Sequence, residues 1–182
     1  LGMLVFDLIQ RVILAPLVWL FPSLHDPVLV PWSHALSWIV CRPLEVIGGA
    51  KIKRPDRIPG EEGILIIMNH QSLLDIPLLV DVVDKTYPRI VTRRRYARGI
   101  PLISHVLRLY QYPLVDPSAN HEDLQEMVDK MAEIARTSKV PIAIFPEGTR
   151  TRNGQIARFK SRGLSLILAQ RPWKVYAFVV DG

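Results

Sequence analysis

His70 and Asp75 stand five positions apart in the run Asn69-His70-Gln71-Ser72-Leu73-Leu74-Asp75. An imidazole and a carboxylate can act as a base and its orienting partner. The carboxylate bonds one ring nitrogen, fixes the tautomer, and leaves the other nitrogen free to take a proton. Five residues of regular helix turn by about 500°, which would leave the two side chains about 140° apart. They meet only if His70 lies on a loop and Asp75 comes from the first turns of the helix that follows. A capping histidine beside a solvated aspartate is the plainer reading of a bare pair.

A second block is Phe145-Pro146-Glu147-Gly148-Thr149-Arg150. Pro146 ends an apolar run, Gly148 permits a close turn, and Glu147 and Arg150 are expected to project from the loop. Such a loop offers a guanidinium fork and backbone N–H groups to a phosphate. A turn closed by a local Glu–Arg ion pair is the alternative.

Cations cluster around these blocks. Arg89, Arg93, Arg94, Arg95 and Arg98 fall within ten positions, and Arg158, Lys160 and Arg162 follow the second block. They form either a solvated face or a site for a phosphorylated or otherwise anionic ligand, with Arg93 and Lys160 as the substrate-binding candidates. Nucleic acid is not expected as a partner. Tyr96 alone interrupts the arginine run as a stacking platform, and no helix-turn-helix or RNA-binding signature occurs. A serine hydrolase would need a nucleophile elbow, and no Gly-x-Ser-x-Gly occurs.

Each block directly follows a short apolar, β-branched run. Strands are expected at 64–68, 89–92, 112–115, 141–145 and 174–180, with helices near 73–83, 101–109, 120–137 and 162–170. In the third helix Leu124, Met127, Val128, Met131, Ile134 and Ala135 share one face. Asn120, with Asp123 three residues on, is placed to cap its start. This alternation predicts an α/β fold with a mostly parallel central sheet flanked by helices. Polar loops at the C-terminal ends of its strands are where such folds place active sites.

Residues 1–50 differ. Two apolar runs, VILAPLVWLFPSL and PVLVPWSHALSWIVC, are each shorter than the ~20 residues that span a bilayer comfortably. Pro16, Pro22, Pro27 and Pro31 limit straight helices. Trp19, Trp32 and Trp38 suit a headgroup boundary, and Lys51, Lys53, Arg54 and Arg57 suit anionic lipid. The expectation is a membrane-associated helical hairpin over 1–50, dipping into one leaflet, and an α/β domain over 51–182. A pair of ordinary core helices is the alternative. The chain stops directly after a strand-like run, which fits a piece of a longer protein.

A chain of 182 residues supports one domain with a full core. With 49% apolar and 22% charged residues a disordered chain is excluded, and a net charge of +6 favours anionic partners. Cys41 is the single cysteine, so no intrachain disulfide forms. No Cys/His group has zinc-ligand spacing and no EF-hand loop occurs, so no metal is expected.

Together the two blocks resemble the glycerolipid acyltransferase family, which includes the lysophosphatidic acid and glycerol-3-phosphate acyltransferases. That family's Asn-His-x-x-x-x-Asp motif matches 69–75, and its Phe-Pro-Glu-Gly-Thr-Arg motif matches 145–150 at every position. The resemblance covers roughly 45–180. It implies His70 as general base, Asp75 as its orienting partner, and Glu147, Gly148, Thr149 and Arg150 as binders of the acceptor's phosphate. It implies an acyl-CoA or acyl carrier protein as donor substrate and no cofactor. The acceptor would be a lysophospholipid, first of all lysophosphatidic acid, on a membrane phospholipid surface. A monotopic or peripheral protein with its site at the cytoplasmic face is expected.

Two departures concern substrate identity. Leu114-Val115-Asp116 is followed by Pro117 where the family carries basic character, and the strand at 175–180 lacks the family's proline. A different lyso-lipid acceptor, or a silent lipid-binding protein with the same fold, are the alternatives.

Overall fold

Five apolar residues form β1 (Ile64–Met68), the strand on which the sheet is built. The structure is a computed structural model describing residues 2–151 and 155–180. β1 lies between β5 (Ile142–Ile144) and β6 (Lys174–Phe178), and β2 (Arg89–Ile90) pairs with the far side of β5, giving the order β2-β5-β1-β6. All three pairings are parallel, with Leu65 opposite both Ile142 and Val175. Parallel neighbours require crossovers. These are supplied by α4 (Asp75–Val82), α5 (Ile103–Leu109), α6 (His121–Thr137) and α7 (Ser161–Leu168). The chain is an α/β protein with a parallel sheet flanked by helices, as its sequence predicts.

Side chains alternate across the sheet. Ile64, Ile66 and Met68 face Leu79 and Val82 of α4, while Leu65 faces Met131, Ala135 and Ile167 on the other side. Asn120 caps α6 by accepting the Asp123 N–H at 2.8 Å.

The expected strand at 89–92 divides in two. Val91 still donates to Ala143 O at 2.9 Å, but Thr92 donates to Pro113 O at 2.9 Å. β3 (Thr92–Arg93) thereby leaves the main sheet and pairs with β4 (Leu114–Val115). The switch carries the cationic run out of the apolar layers, where unpaired guanidinium groups could not be buried.

At the N-terminus α1 (Gly2–Ile9), a π-helical turn (Gln10–Leu14) and α2 (Ala15–Leu20) form one continuous run. Its 19 residues are long and apolar enough to cross a membrane by length and composition, which corrects the expectation that the first of the two apolar runs is too short. Pro16 is tolerated because its missing N–H falls in the first turn of α2, just past the π turn.

After a short 3₁₀ turn (Pro22–Leu24), α3 (His25–Val46) continues through Pro31 and Pro43. Contacts with other elements hold it in place. Ser37 Oγ donates to Pro77 O at 2.5 Å, and Tyr110 OH donates to Leu29 O at 2.8 Å. The chain doubles back so that the Phe6 ring meets Trp32 edge-on at 6.0 Å. The helical hairpin is therefore present, but α3 also places the fully buried Leu29 in the core with Ile64, Ile66 and Leu79.

Candidate active site

β1 and β5 are adjacent and parallel, so the loops that follow them leave the same edge of the sheet. His70 sits on the loop after β1 and Asp75 opens α4, the arrangement that the five-residue spacing requires. His70 Nδ1 lies 2.8 Å from Asp75 Oδ2. An ionised carboxylate only accepts, so Nδ1 carries the proton and Nε2 keeps its lone pair. Nε2 has no hydrogen bond to the described residues.

Asp75 Oδ2 also accepts the N–H groups of Gln71 and Ser72, at 2.7 and 2.9 Å. The side chains of His70 and Asp75 are 17% and 1% exposed: the carboxylate is sealed while the imidazole can be reached. Phe145 stacks on the imidazole with centroids 4.2 Å apart.

The two motif blocks are bonded to each other through His70's main chain. The His70 N–H donates to Glu147 Oε1 at 2.8 Å, and Thr151 N–H donates to His70 O at 2.8 Å. Glu147 does not project from the loop, contrary to the expectation. It is buried, and its Oε2 accepts the Ala157 N–H at 2.9 Å. Two loop N–H groups lacking ladder partners draw the carboxylate inward, because leaving them buried and unpaired would cost about 1–3 kcal/mol each.

Gly148 adopts φ +66° and closes the turn by donating to Phe145 O at 3.0 Å. A Cβ there would meet Lys160 Cδ and Nζ at 3.3 Å, so the Lys160 side chain lies across the glycine. Arg93 Nη2 donates to Gly148 O at 2.6 Å. Lys160 and Arg93 are thus both brought to the 145–150 loop, where Thr149 and Arg150 are exposed.

Arg95 donates to the Tyr96 hydroxyl at 2.8 Å and lies over its ring. That bond, with the charges of Arg95, Arg93 and Arg150, holds the Tyr96 hydroxyl below the usual phenol range. A cavity of about 230 Å³ lined by Arg93, Arg95, Val115, Asp116, Pro117 and Ser118 opens beside this cluster. Among the described residues no group of three or more His, Cys, Asp or Glu side chains could hold a metal ion.

Sequence reasoning assigned no part to Asn69. Its Nδ2 donates to Val180 O and its Oδ1 accepts Val180 N–H, both at 2.8 Å. This two-point contact extends the β1–β6 pairing past the last strand residue and fixes the backbone next to His70. Its place immediately before His70 was the available signal.

The chain matches the family described as Acyltransferase over residues 49–180. It is 25% identical to the 1-acyl-sn-glycerol-3-phosphate acyltransferase of Cocos nucifera, over 79% of this chain and 48% of that protein. The protein of the same name from Saccharomyces cerevisiae gives the same figures. The human 1-acyl-sn-glycerol-3-phosphate acyltransferase beta is 26% identical, over 75% of this chain and 49% of that protein. The chain spans about half the length of these curated relatives.

The crystal structure of the 1-acyl-sn-glycerophosphate acyltransferase PlsC from Thermotoga maritima superposes with a TM-score of 0.59 at 17% identity. It covers 97% of this chain and 73% of that one, a likeness of fold. The family match extends over most of the chain and includes both blocks that meet at His70: the chain belongs to the Acyltransferase family.

Proposed function

We propose that the chain transfers a fatty acyl group from an acyl thioester, on coenzyme A or acyl carrier protein, to the free hydroxyl of lysophosphatidic acid, giving phosphatidic acid. The observation that carries this reading is the Nδ1-anchored His70, with Nε2 unbonded among the described residues, on the loop edge shared with the cations of 93–95 and 150.

A thioester is already activated, so no covalent enzyme nucleophile is needed. Nε2 accepts the hydroxyl proton as the oxygen attacks the thioester carbonyl. The tetrahedral oxyanion collapses, the C–S bond breaks, and the departing thiolate takes the proton back from the imidazolium. Asp75 keeps the ring oriented and favours its charged form, and general base catalysis of this kind contributes typically 10²–10⁴-fold. A backbone N–H near 147–149 is the candidate oxyanion donor, and since the Gly148 N–H already closes the turn, Thr149 is the better choice.

The exposed apolar residues of the hairpin, Leu4, Leu8, Val12, Trp19 and Phe21 among them, support a protein seated on a phospholipid membrane. A cytoplasmic-face site, where acyl carriers reside, belongs to the same proposal. The Pro117 departure makes the acceptor headgroup the point to test. The purified chain in phospholipid vesicles should consume palmitoyl thioester on adding lysophosphatidic acid, with acyl-CoA and acyl carrier protein donors compared. Faster turnover with a zwitterionic lyso-lipid would move the acceptor assignment, and no turnover with any acceptor would favour a silent lipid-binding protein.

A further inference from the structure

The inward stripe of the first helical run is mostly polar. Its buried residues are Asp7, Gln10 and Leu14, spaced three and four apart and so on one face. Met3, Leu4, Val5, Leu8, Val12 and Ile13 are exposed. A helix that turns a carboxylate and an amide inward and hydrocarbon outward must satisfy those polar groups.

Both groups address one residue, Leu102. Asp7 Oδ1 accepts the Leu102 N–H at 2.7 Å, while Arg11 Nε holds Oδ2 at 2.8 Å. Gln10, with its amide oriented to satisfy both neighbours, donates to Leu102 O at 3.1 Å and accepts from Trp32 Nε1 at 2.8 Å.

Leu102 needs holding. Its φ of +66° and ψ of −57° form a tight turn closed by Ile103 N–H on Pro101 O at 2.8 Å. A γ-turn of this hand is rare and strained for a residue with a side chain. The turn faces a chain of contacts that ends among the arginines. Ser104 Oγ, buried, accepts Ile100 N–H and donates to Tyr96 O, both at 3.0 Å. Tyr96 then stands within the field of Arg93, Arg95 and Arg150.

We propose that Asp7 and Gln10 are positioning residues for the acceptor: by clamping the Leu102 turn they set where the arginine-bearing segment 93–98 stands. The identity of the bound phosphate rests on the lysophosphatidate reading above; the clamp itself does not.

Strain provides the discriminating test, because glycine adopts positive φ without a Cβ penalty. In the Leu102→Gly chain the turn should depend less on its clamp. Steady-state kinetics of the full chain in vesicles would compare wild type, Asp7→Ala, Gln10→Leu, Leu102→Gly and the double variants. Asp7→Ala and Gln10→Leu should each raise the acceptor's KM about five- to fifty-fold, with donor KM and kcat within threefold, a range set by a lost hydrogen bond to a charged or neutral partner. In the Leu102→Gly background the rise should fall below threefold. An unchanged acceptor KM, a uniform loss of kcat, or an equal rise in both backgrounds overturns the proposal.

Tryptic cleavage after Arg94, Arg95 and Arg98 in the native protein supplies a readout independent of activity. It should quicken in Asp7→Ala and return towards wild type with Leu102→Gly; unchanged cleavage overturns the clamp. If Asp7→Ala does not fold, Gln10→Leu, which is close in volume to the buried amide side chain it replaces, carries both measurements. A wild-type chain that ignores lysophosphatidic acid while the cleavage pattern follows expectation removes the acceptor reading and leaves the clamp standing.

Discussion

The main-chain N–H of His70 donates to Glu147 Oε1 at 2.8 Å, joining two loops 77 residues apart in the sequence. The other oxygen of the same carboxylate holds Ala157 N–H. Glu147 thus braces the base from behind while Asp75 orients its ring. His70 is held at both its backbone and its imidazole, which leaves Nε2 for the proton transfer of the proposed reaction.

Replacing Glu147 should therefore act on turnover more than on acceptor binding. Glu147→Gln presents an N–H to one of the two backbone donors, and Glu147→Ala leaves both unpaired. We expect the glutamine variant to lose about 1–3 kcal/mol of stability. Its kcat should fall by roughly tenfold, the cost of about 1.4 kcal/mol in positioning. Acceptor KM should stay near wild type. Thermal melts alongside steady-state kinetics check this; a variant with wild-type kcat and a raised acceptor KM would return Glu147 to the phosphate site.

His70→Ala removes the proposed proton acceptor, and with it the ring stacked on Phe145 and one of the three bonds to the buried Asp75 carboxylate. Turnover of the folded protein should fall at least ~10²-fold, the lower end of general base catalysis, with vesicle binding preserved and any loss of stability read separately from the melting transition. Activity above a tenth of wild type would exclude His70 as the base.

The His70–Asp75 pairing was legible only with the second block beside it: a bare pair reads as a cap and a solvated carboxylate, and the spacing says only that, if the two meet, they do so at a loop-to-helix junction. Asn120 was legible because capping depends on residues three apart. Glu147 was not, because the N–H groups that draw it inward belong to His70 and Ala157, and no local pattern shows that they approach it. The long α3 was hidden by its prolines. Its contacts, such as the bonds from Ser37 to Pro77 and from Tyr110 to Leu29, depend on elements far along the chain. The division of the 89–92 run was equally a matter of partners: Ala143 serves one half and Pro113 the other.

The hairpin's outer face should govern membrane binding without governing folding. Leu8 and Trp19 are 61% and 79% exposed, so Leu8→Ser with Trp19→Ser removes apolar surface that packs little against protein. Burying each such side chain in lipid is worth about 1.5–3 kcal/mol, so the pair should weaken vesicle co-sedimentation by at least tenfold with the melting transition unchanged. Leu29→Ala should behave in the opposite way. It opens a cavity in the core shared with Ile64 and Leu79, costing about 2–5 kcal/mol of stability with little effect on vesicle binding. Equal effects of the two substitutions on both measurements would show that the hairpin's two faces do not divide the work.

Arg150 tests the acceptor class most directly. It is exposed, and its charge reaches Tyr96 beside the charges of Arg93 and Arg95. A phosphate entering here meets several cations, but the planar fork of a guanidinium gives two parallel bonds where an ammonium gives a point contact. Arg150→Lys should therefore fall between wild type and Arg150→Ala. A charged hydrogen bond is worth roughly 1.5–3 kcal/mol, so the alanine variant should raise acceptor KM about ten- to a hundred-fold and leave donor KM unchanged. If the contact strengthens mainly in the transition state, the same factor appears in kcat instead. The Tyr96 hydroxyl is held low first by its bond from Arg95 and least by the Arg150 charge, so its titration should move up more in Arg95→Ala than in Arg150→Ala. Unchanged acceptor kinetics in Arg150→Ala, or a loss confined to the donor, would take the 145–150 loop out of the phosphate site. The search would then move to Arg93 and Arg95, which line the neighbouring cavity.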